Sequence, residues 1–288
     1  IGNGTNGLLN AASVISSSTG KVNITSEGNV GKNQLIATGE GNDTITLQSL
    51  TTVFAVNAGN GDNLVNVTTA AVDSSVVTGK GKDNINLVGN LVYNVNTGAN
   101  DDTVTIAAAS TAKHNINFGE GNDTLVVNGN STAVVEFGTG SNILKSATSA
   151  DLKAATLTGN VDTVEMTGNT TLKITAEQLA EFNGFALKGS VAANVLSIDG
   201  TNNNTALVGQ TIDASGVSVA LGVNATLEIT ASGKGDTITG SNAADSIILA
   251  AGADIVKFVS TINADEVTIF DKAEDKLEQD PESIQHQV

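Results

Sequence analysis

A short glycine-rich phrase returns at nearly constant intervals, and this constrains the fold more than any other feature of the chain. Gly39-Glu40-Gly41-Asn42-Asp43-Thr44-Ile45 is followed by Gly59-Asn60-Gly61-Asp62-Asn63-Leu64-Val65 and by Gly79-Lys80-Gly81-Lys82-Asp83-Asn84-Ile85. Further copies start at Gly98 (with Asn100 and Asp102), at Gly119 (with Gly121 and Asp123) and, more weakly, at Gly138 (with Gly140 and Asn142). The leading glycines step by 20, 20, 19, 21 and 19 residues, and fainter copies lie at Gly2, at Gly20 and near Asp162. Apolar residues keep a fixed phase around each turn. Ile36, Val56, Val76, Val95, Ile116 and Val135 stand three positions before the leading glycine, and Ile45, Val65, Ile85, Val104, Leu125 and Leu144 stand six after it. Alternation of period two on both sides of a glycine turn reads as short strands. One such unit cannot bury its apolar face alone, whereas stacking identical units makes each apolar position an internal ladder. The expected fold is therefore all-β: a right-handed parallel β-solenoid with coils of about 20 residues. Antiparallel hairpins give no reason for six consecutive units to share one phase.

The turns carry the chemistry. Glycine reaches backbone conformations that turn carbonyls inward, and an Asp follows two residues after the second glycine. Stacking brings the Asp of one coil near the carbonyls of the next. Carboxylates and carbonyls together suit a hard cation, with Ca²⁺ the best match. Without a counter-ion, Asp43, Asp83, Asp102 and Asp123 form a column of like charges. The expected metal-site residues of the regular array are Gly39, Gly41, Asp43, Gly59, Gly61, Asp62, Asn63, Gly79, Gly81, Asp83, Gly98, Asn100, Asp102, Gly119, Gly121, Asp123 and Asn142. Asn63 and Asn142 offer a neutral oxygen, so their sites are expected to be weaker, with Asp62 helping at the former. The opposite turns, such as Gln48 to Thr52 and Gly89-Asn90, vary and are expected to be metal-free.

Near the C-terminus, Gly233-Lys234-Gly235-Asp236-Thr237-Ile238 precedes Asp245-Ser246-Ile247 and Asp254-Ile255-Val256, with the three Asp nine residues apart. These residues resemble the nonapeptide array G-G-x-G-x-D-x-U-x of RTX proteins, and Val267 to Leu277 resembles the segment that follows such arrays. The resemblance implies a Ca²⁺-binding β-roll that folds after type I secretion, with Gly233, Gly235, Asp236, Asp245 and Asp254 added to the metal residues. Two departures stand out. The first glycine of the nonapeptide is replaced by Thr38, Ala58, Thr78, Thr97 or Phe118, and Asp245 lacks preceding glycines.

The remaining sequence divides the chain further. Residues 1–150 read as the regular solenoid and 151–232 as irregular coils. Residues 233–260 read as a short nonapeptide array, and 261–288 as a strand and a charged, disordered tail. One short helix is expected near 176–183, with Thr175 as its cap, Gln178 closing a capping box and Gly184 ending it. The chain begins with Ile1 and lacks a signal-peptide pattern, so it reads as a fragment or a processed form.

Composition excludes several functions. All 13 cationic side chains are Lys, against 30 acidic ones, for a net charge of -17. That balance argues against nucleic acid and against anionic membranes, and no apolar run is long enough for a membrane span. The absence of Cys removes disulfides, thiolate zinc sites and a Cys nucleophile. His114 and His286 belong to no H-E-x-x-H motif. His114 is expected on a strand near the coil's rim, and no enzymatic activity is expected.

Three functions compete. The composition and the array resemble S-layer proteins of the RTX type, which implies a Ca²⁺-dependent lattice of identical chains at the bacterial cell surface. A surface polysaccharide would be contacted through a part outside this sequence. The alternatives are a segment of a large RTX adhesin, or the C-terminal secretion module of an exported enzyme. An ice-binding rod is disfavoured. Glu40, Asn60, Lys80, Ala99, Glu120 and Thr139 form no regular outward ladder.

Overall fold

The computed structural model describes residues 13–27, 34–48, 53–68, 74–89, 92–107, 112–182, 184–189, 193–201, 209–220, 223–259 and 265–279. The turn expected at 49–52, Asn90 and the tail at 280–288 lie outside them. The chain forms two compact units, residues 1–145 with 154–160 and residues 146–153 with 161–288. Both are built of parallel strands, and the second also carries one short helix, so the fold is the expected parallel β-solenoid.

In the first unit the strands alternate between two parallel sheets. Gln34–Gly39, Phe54–Gly59, Ser74–Thr78, Tyr93–Ala99 and Asn115–Glu120 stack in one; Thr44–Gln48, Leu64–Thr68, Asn84–Val88, Thr103–Ile106 and Thr124–Val127 stack in the other. Equivalent residues face each other one coil apart. Ile45, Val65, Ile85, Val104 and Leu125 form a single row, each at most 1 % exposed. Each such side chain contributes about 1.5–3 kcal/mol on burial. The row becomes continuous only because the coils share one phase.

The departures from the nonapeptide pattern have a structural reason. Thr38, Ala58, Thr78, Thr97, Phe118 and Phe137 form an inward row just before the leading glycines. The hydroxyls of Thr38, Thr78 and Thr97 donate to the carbonyls of Ala58, Thr97 and Phe118. Phe118 and Phe137 stack with centroids 5.6 Å apart. This is a core position, and glycine would leave a void there.

His114 is also inside. It is fully buried, not at the rim, and stacks on Tyr93 at 5.3 Å. Its row holds Phe54, Ser74 and Tyr93, which all face the core. Burial lowers its pKa to about 4.

The second unit is less regular. Leu172, Leu196, Leu227 and Asp245 align across four strands although 24, 31 and 18 residues separate them. The strand Thr237–Thr239 meets Ile255–Phe258 with an 18-residue offset. The helix is Ala176–Glu181, shorter than expected, and it carries the expected capping box. Gln178 N donates to Thr175 Oγ1 at 3.2 Å, and Thr175 N donates to Gln178 Oε1 at 2.9 Å. The helix C-cap is Phe182, before Gly184.

Candidate metal centre

The glycine turns of the first unit form a tightly stacked edge. Gly59 has φ +74°, and a Cβ built there would overlap the carbonyl oxygen of Gly39; one at Gly81 (φ +140°) would overlap that of Gly61. Glycine is therefore needed both for its conformation and for the close approach of the preceding coil. Gly39, Gly41, Gly61, Gly98, Gly119 and Gly121 also have positive φ, while Gly79 does not. Asn100 takes the place of the second glycine at φ 84°, a region that Asn tolerates better than most side chains.

Next to this edge runs an inner column of Asp43, Asn63, Asp83, Asp102, Asp123 and Asn142, none more than 2 % exposed. One side-chain oxygen of each accepts the backbone N–H of the equivalent residue in the preceding coil. Val22 N reaches Asp43 Oδ1 at 2.7 Å, and Asp43 N reaches Asn63 Oδ1 at 3.0 Å. Asn63, Asp83 and Asp102 continue the chain at 2.8 Å each, and Asp123 N reaches Asn142 Oδ1 at 2.9 Å. The coils thus fix the column at Oδ1.

The second atom of each side chain separates Asp from Asn. Nδ2 of Asn63 donates to the Gly61 carbonyl at 2.8 Å and lies 3.4 Å from that of Gly59. Nδ2 of Asn142 donates to the Asn160 carbonyl at 3.0 Å and to that of Gly140 at 3.5 Å. Oδ2 of Asp43, Asp83, Asp102 and Asp123 is buried and has no hydrogen-bond partner. Because Oδ1 is held the same way in every coil, register puts Oδ2 where Asn63 carries its amide nitrogen. Each Asp thus presents an oxygen where Asn63 presents an N–H₂, and the nearby hydroxyls of Thr78 and Thr97 donate to backbone carbonyls instead. Leaving a buried acceptor unmatched costs on the order of 1–3 kcal/mol. Burial raises the pKa of Asp83, lifts Asp102 to about 7 and lifts Asp123 to about 6.

The chemistry of these groups, a buried carboxylate oxygen without a donor beside glycine-turn carbonyls, fits a hard cation such as Ca²⁺. Among the described residues, no three acidic or His side chains gather into one cluster. A cation here would be held by one carboxylate per coil and by backbone carbonyls. The neutral oxygens expected from sequence as weaker ligands, Oδ1 of Asn63 and Asn142, each already accept a backbone N–H. Asp62, expected to help at Asn63, is placed elsewhere. It belongs to an outer column, where its Oδ1 accepts Lys82 N at 2.8 Å and its backbone N donates to Asn42 Oδ1 at 2.9 Å. Asp101 and Asn122 continue this outer column, with Asn122 N donating to Asp101 Oδ1 at 3.0 Å. Sequence reasoning passed over the column as a unit, although Asn42, Asp62, Asp101 and Asn122 share one phase.

The C-terminal acidic residues are placed differently. Asp236 accepts Gln210 N and Ser232 N, each at 2.6 Å, and both of its oxygens lie 2.9 Å from Ser232 Oγ. Asp245 accepts Ser241 N at 2.7 Å and Ser241 Oγ at 2.6 Å. The oxygens of Asp236 and Asp245, expected as ligands from the nonapeptide resemblance, thus all accept hydrogen bonds, from Ser232 or Ser241 of the same turn and, for Asp236, also from Gln210 N of another coil. Asp254 Oδ1 accepts Asp236 N at 2.7 Å, while its buried Oδ2 has no partner. Asp275, not singled out from sequence, accepts Asp254 N at 2.9 Å and Asp271 N at 2.7 Å. Gly235 lies against the Ala253 carbonyl without positive φ, and Gly233 lies in the bend before Thr237–Thr239. The signal that could have found this arrangement is a Ser four residues before each filled Asp.

Compared with protein-family models, curated proteins and solved structures, the chain matches none of them.

Proposed function

We propose that the chain is a calcium-binding structural protein of the bacterial cell surface, folding after export and assembling with copies of itself into an S-layer lattice. One observation supports the cation above all: four stacked, buried carboxylates in the first unit each keep one oxygen without a donor. The net charge of -17 adds to the demand for counter-ions. In calcium-poor cytosol the unmatched carboxylates disfavour the coil. Outside, weak sites fill at Ca²⁺ of about 10⁻⁴–10⁻³ M, and binding free energy becomes folding free energy. The lattice and type I export rest on the resemblance of the glycine-Asp array and of the composition. Surface polysaccharide is the proposed second partner. Nucleic acid and membrane insertion are not among the proposed partners. Among the described residues no helix is long and apolar enough to cross a membrane.

The test is far-UV circular dichroism during a Ca²⁺ titration, followed by electron microscopy of the titrated sample. Cooperative β-structure near millimolar Ca²⁺, reversed by EGTA, and Ca²⁺-dependent sheets are expected. Equal folding in EGTA would reject calcium-dependent folding, and folded protein that stays monomeric in Ca²⁺ would reject the lattice.

A further inference from the structure

The inner column changes composition along its length, and the change has a direct geometric consequence. Asn63 and Asn142 stand in register with the aspartates and use the same Oδ1 contact to the preceding coil. Their Nδ2 atoms supply the donor that the aspartates lack, reaching Gly61 and Gly59 in one coil and Asn160 and Gly140 in the other. We infer that Asn63 and Asn142 are built-in replacements for the cation, which close their own coils with an amide and confine cation uptake to Asp43 on one side and to the run Asp83, Asp102 and Asp123 between them.

The identity of the cation rests on the function proposed above, but the role of the amides does not. Asn and Asp are nearly the same size, and both accept the backbone N–H through Oδ1. They differ in the atom facing the turn carbonyls: an N–H₂ makes hydrogen bonds there, and a carboxylate oxygen meets like partial charge. A coil with Asn is complete without any ion. A coil with Asp is complete only when a positive partner arrives. The column is therefore segmented, with a single acidic coil, one self-closed coil, three acidic coils and a second self-closed coil.

Asp43 gives the cleanest test because the preceding coil presents Val22 and the following one Asn63, so removing its charge relieves no repulsion within the column. The full chain is compared with Asp43→Asn, Asp43→Ala and Asn63→Asp at pH 8. Thermal midpoints are read by circular dichroism in EGTA, and Ca²⁺ per chain is read by equilibrium dialysis with Ca²⁺ alone. Asp43→Asn should raise the midpoint in EGTA, on the order of 5 °C, and remove one Ca²⁺ per chain. Asn63→Asp should lower the midpoint in EGTA and add one Ca²⁺. Asp43→Ala removes the charge but leaves Val22 N without an acceptor, so it should not reproduce the gain. If Asp43→Asn is no more stable in EGTA than Asp43→Ala, or if Asn63→Asp costs nothing there, the inference is overturned. If the EGTA shifts appear while no variant takes up Ca²⁺, the amide role stands and the calcium reading fails. If the wild type binds Ca²⁺ but Asn63→Asp adds none, the confinement of uptake to the aspartates is overturned.

Discussion

The two units use the same acidic turn letters to opposite ends. In the first, Asp43, Asp83, Asp102 and Asp123 each spend one oxygen on the preceding coil and keep the other unmatched. In the second, Asp236 and Asp245 have both oxygens filled. Part of the difference lies four positions earlier: Ser232 and Ser241 in the second unit donate to the Asp through both backbone N–H and hydroxyl, whereas the first unit has the leading glycine there, which brings no side-chain donor. Asp254 supports this reading from within the second unit. Ala250 stands four residues before it, no hydroxyl is available, and its Oδ2 is again unmatched. The glycine-Asp phrase alone does not define a cation site. Under the proposed function it can serve as one only where no neighbouring donor satisfies the carboxylate first.

The largest effect is expected from the stacked glycines. Gly59→Ala should prevent folding of the first unit or lower its thermal midpoint drastically, because the added methyl overlaps the Gly39 carbonyl. Gly168 has φ +88° with nothing within 4 Å, so Gly168→Ala should cost only the conformational strain of about 1–2 kcal/mol. Calorimetry of the two variants distinguishes packing from strain; equal losses would break the account of the glycine edge.

The next effect is pH dependence without calcium. Burial raises Asp102 to about 7 and Asp123 to about 6, so the folded state holds these protons more tightly than the unfolded chain, whose carboxylates titrate near 3.8. Their favourable contribution is complete below that value and is lost as pH rises through 6 and 7. The urea midpoint of the first unit's transition in EGTA should therefore fall between pH 5 and pH 8, and saturating Ca²⁺ should reduce the fall. A midpoint that is flat or rises over this range in EGTA would contradict the unmatched column.

Asp236→Ala should destabilise by about 2 kcal/mol whether or not Ca²⁺ is present, since it strips acceptors from Gln210 N and Ser232 N. Asp123→Ala also strips an acceptor, that of Asp102 N, so it should cost stability in EGTA too, but the loss should be larger in Ca²⁺, with one ion fewer per chain. The smallest expected effect is Ala250→Ser. A hydroxyl there should satisfy Asp254 as Ser232 satisfies Asp236, raising the EGTA midpoint by a few degrees, on the scale of one hydrogen bond. No change would mean that the i−4 hydroxyl is not what separates the two kinds of Asp.

Much of this molecule is legible in its residues. The glycine steps and the apolar phase require stacked parallel coils, because only identical positions in register bury the Ile45, Val65 and Ile85 row. Thr175 and Gln178 announce the helix through local hydrogen bonds that need no tertiary partner. The oxygen-by-oxygen state of the acidic turns is decided elsewhere. Whether Asp43 is open and Asp236 closed depends on which N–H, hydroxyl or amide reaches the second carboxylate oxygen. Those donors come from neighbouring coils and from turn geometry, not from the repeat letters themselves. Sequence periodicity set the stacking, since burial acts on whole faces of the chain. Tertiary structure alone assigned each hydrogen bond, since a single donor placed or missing within about 3 Å decides whether a buried charge is satisfied.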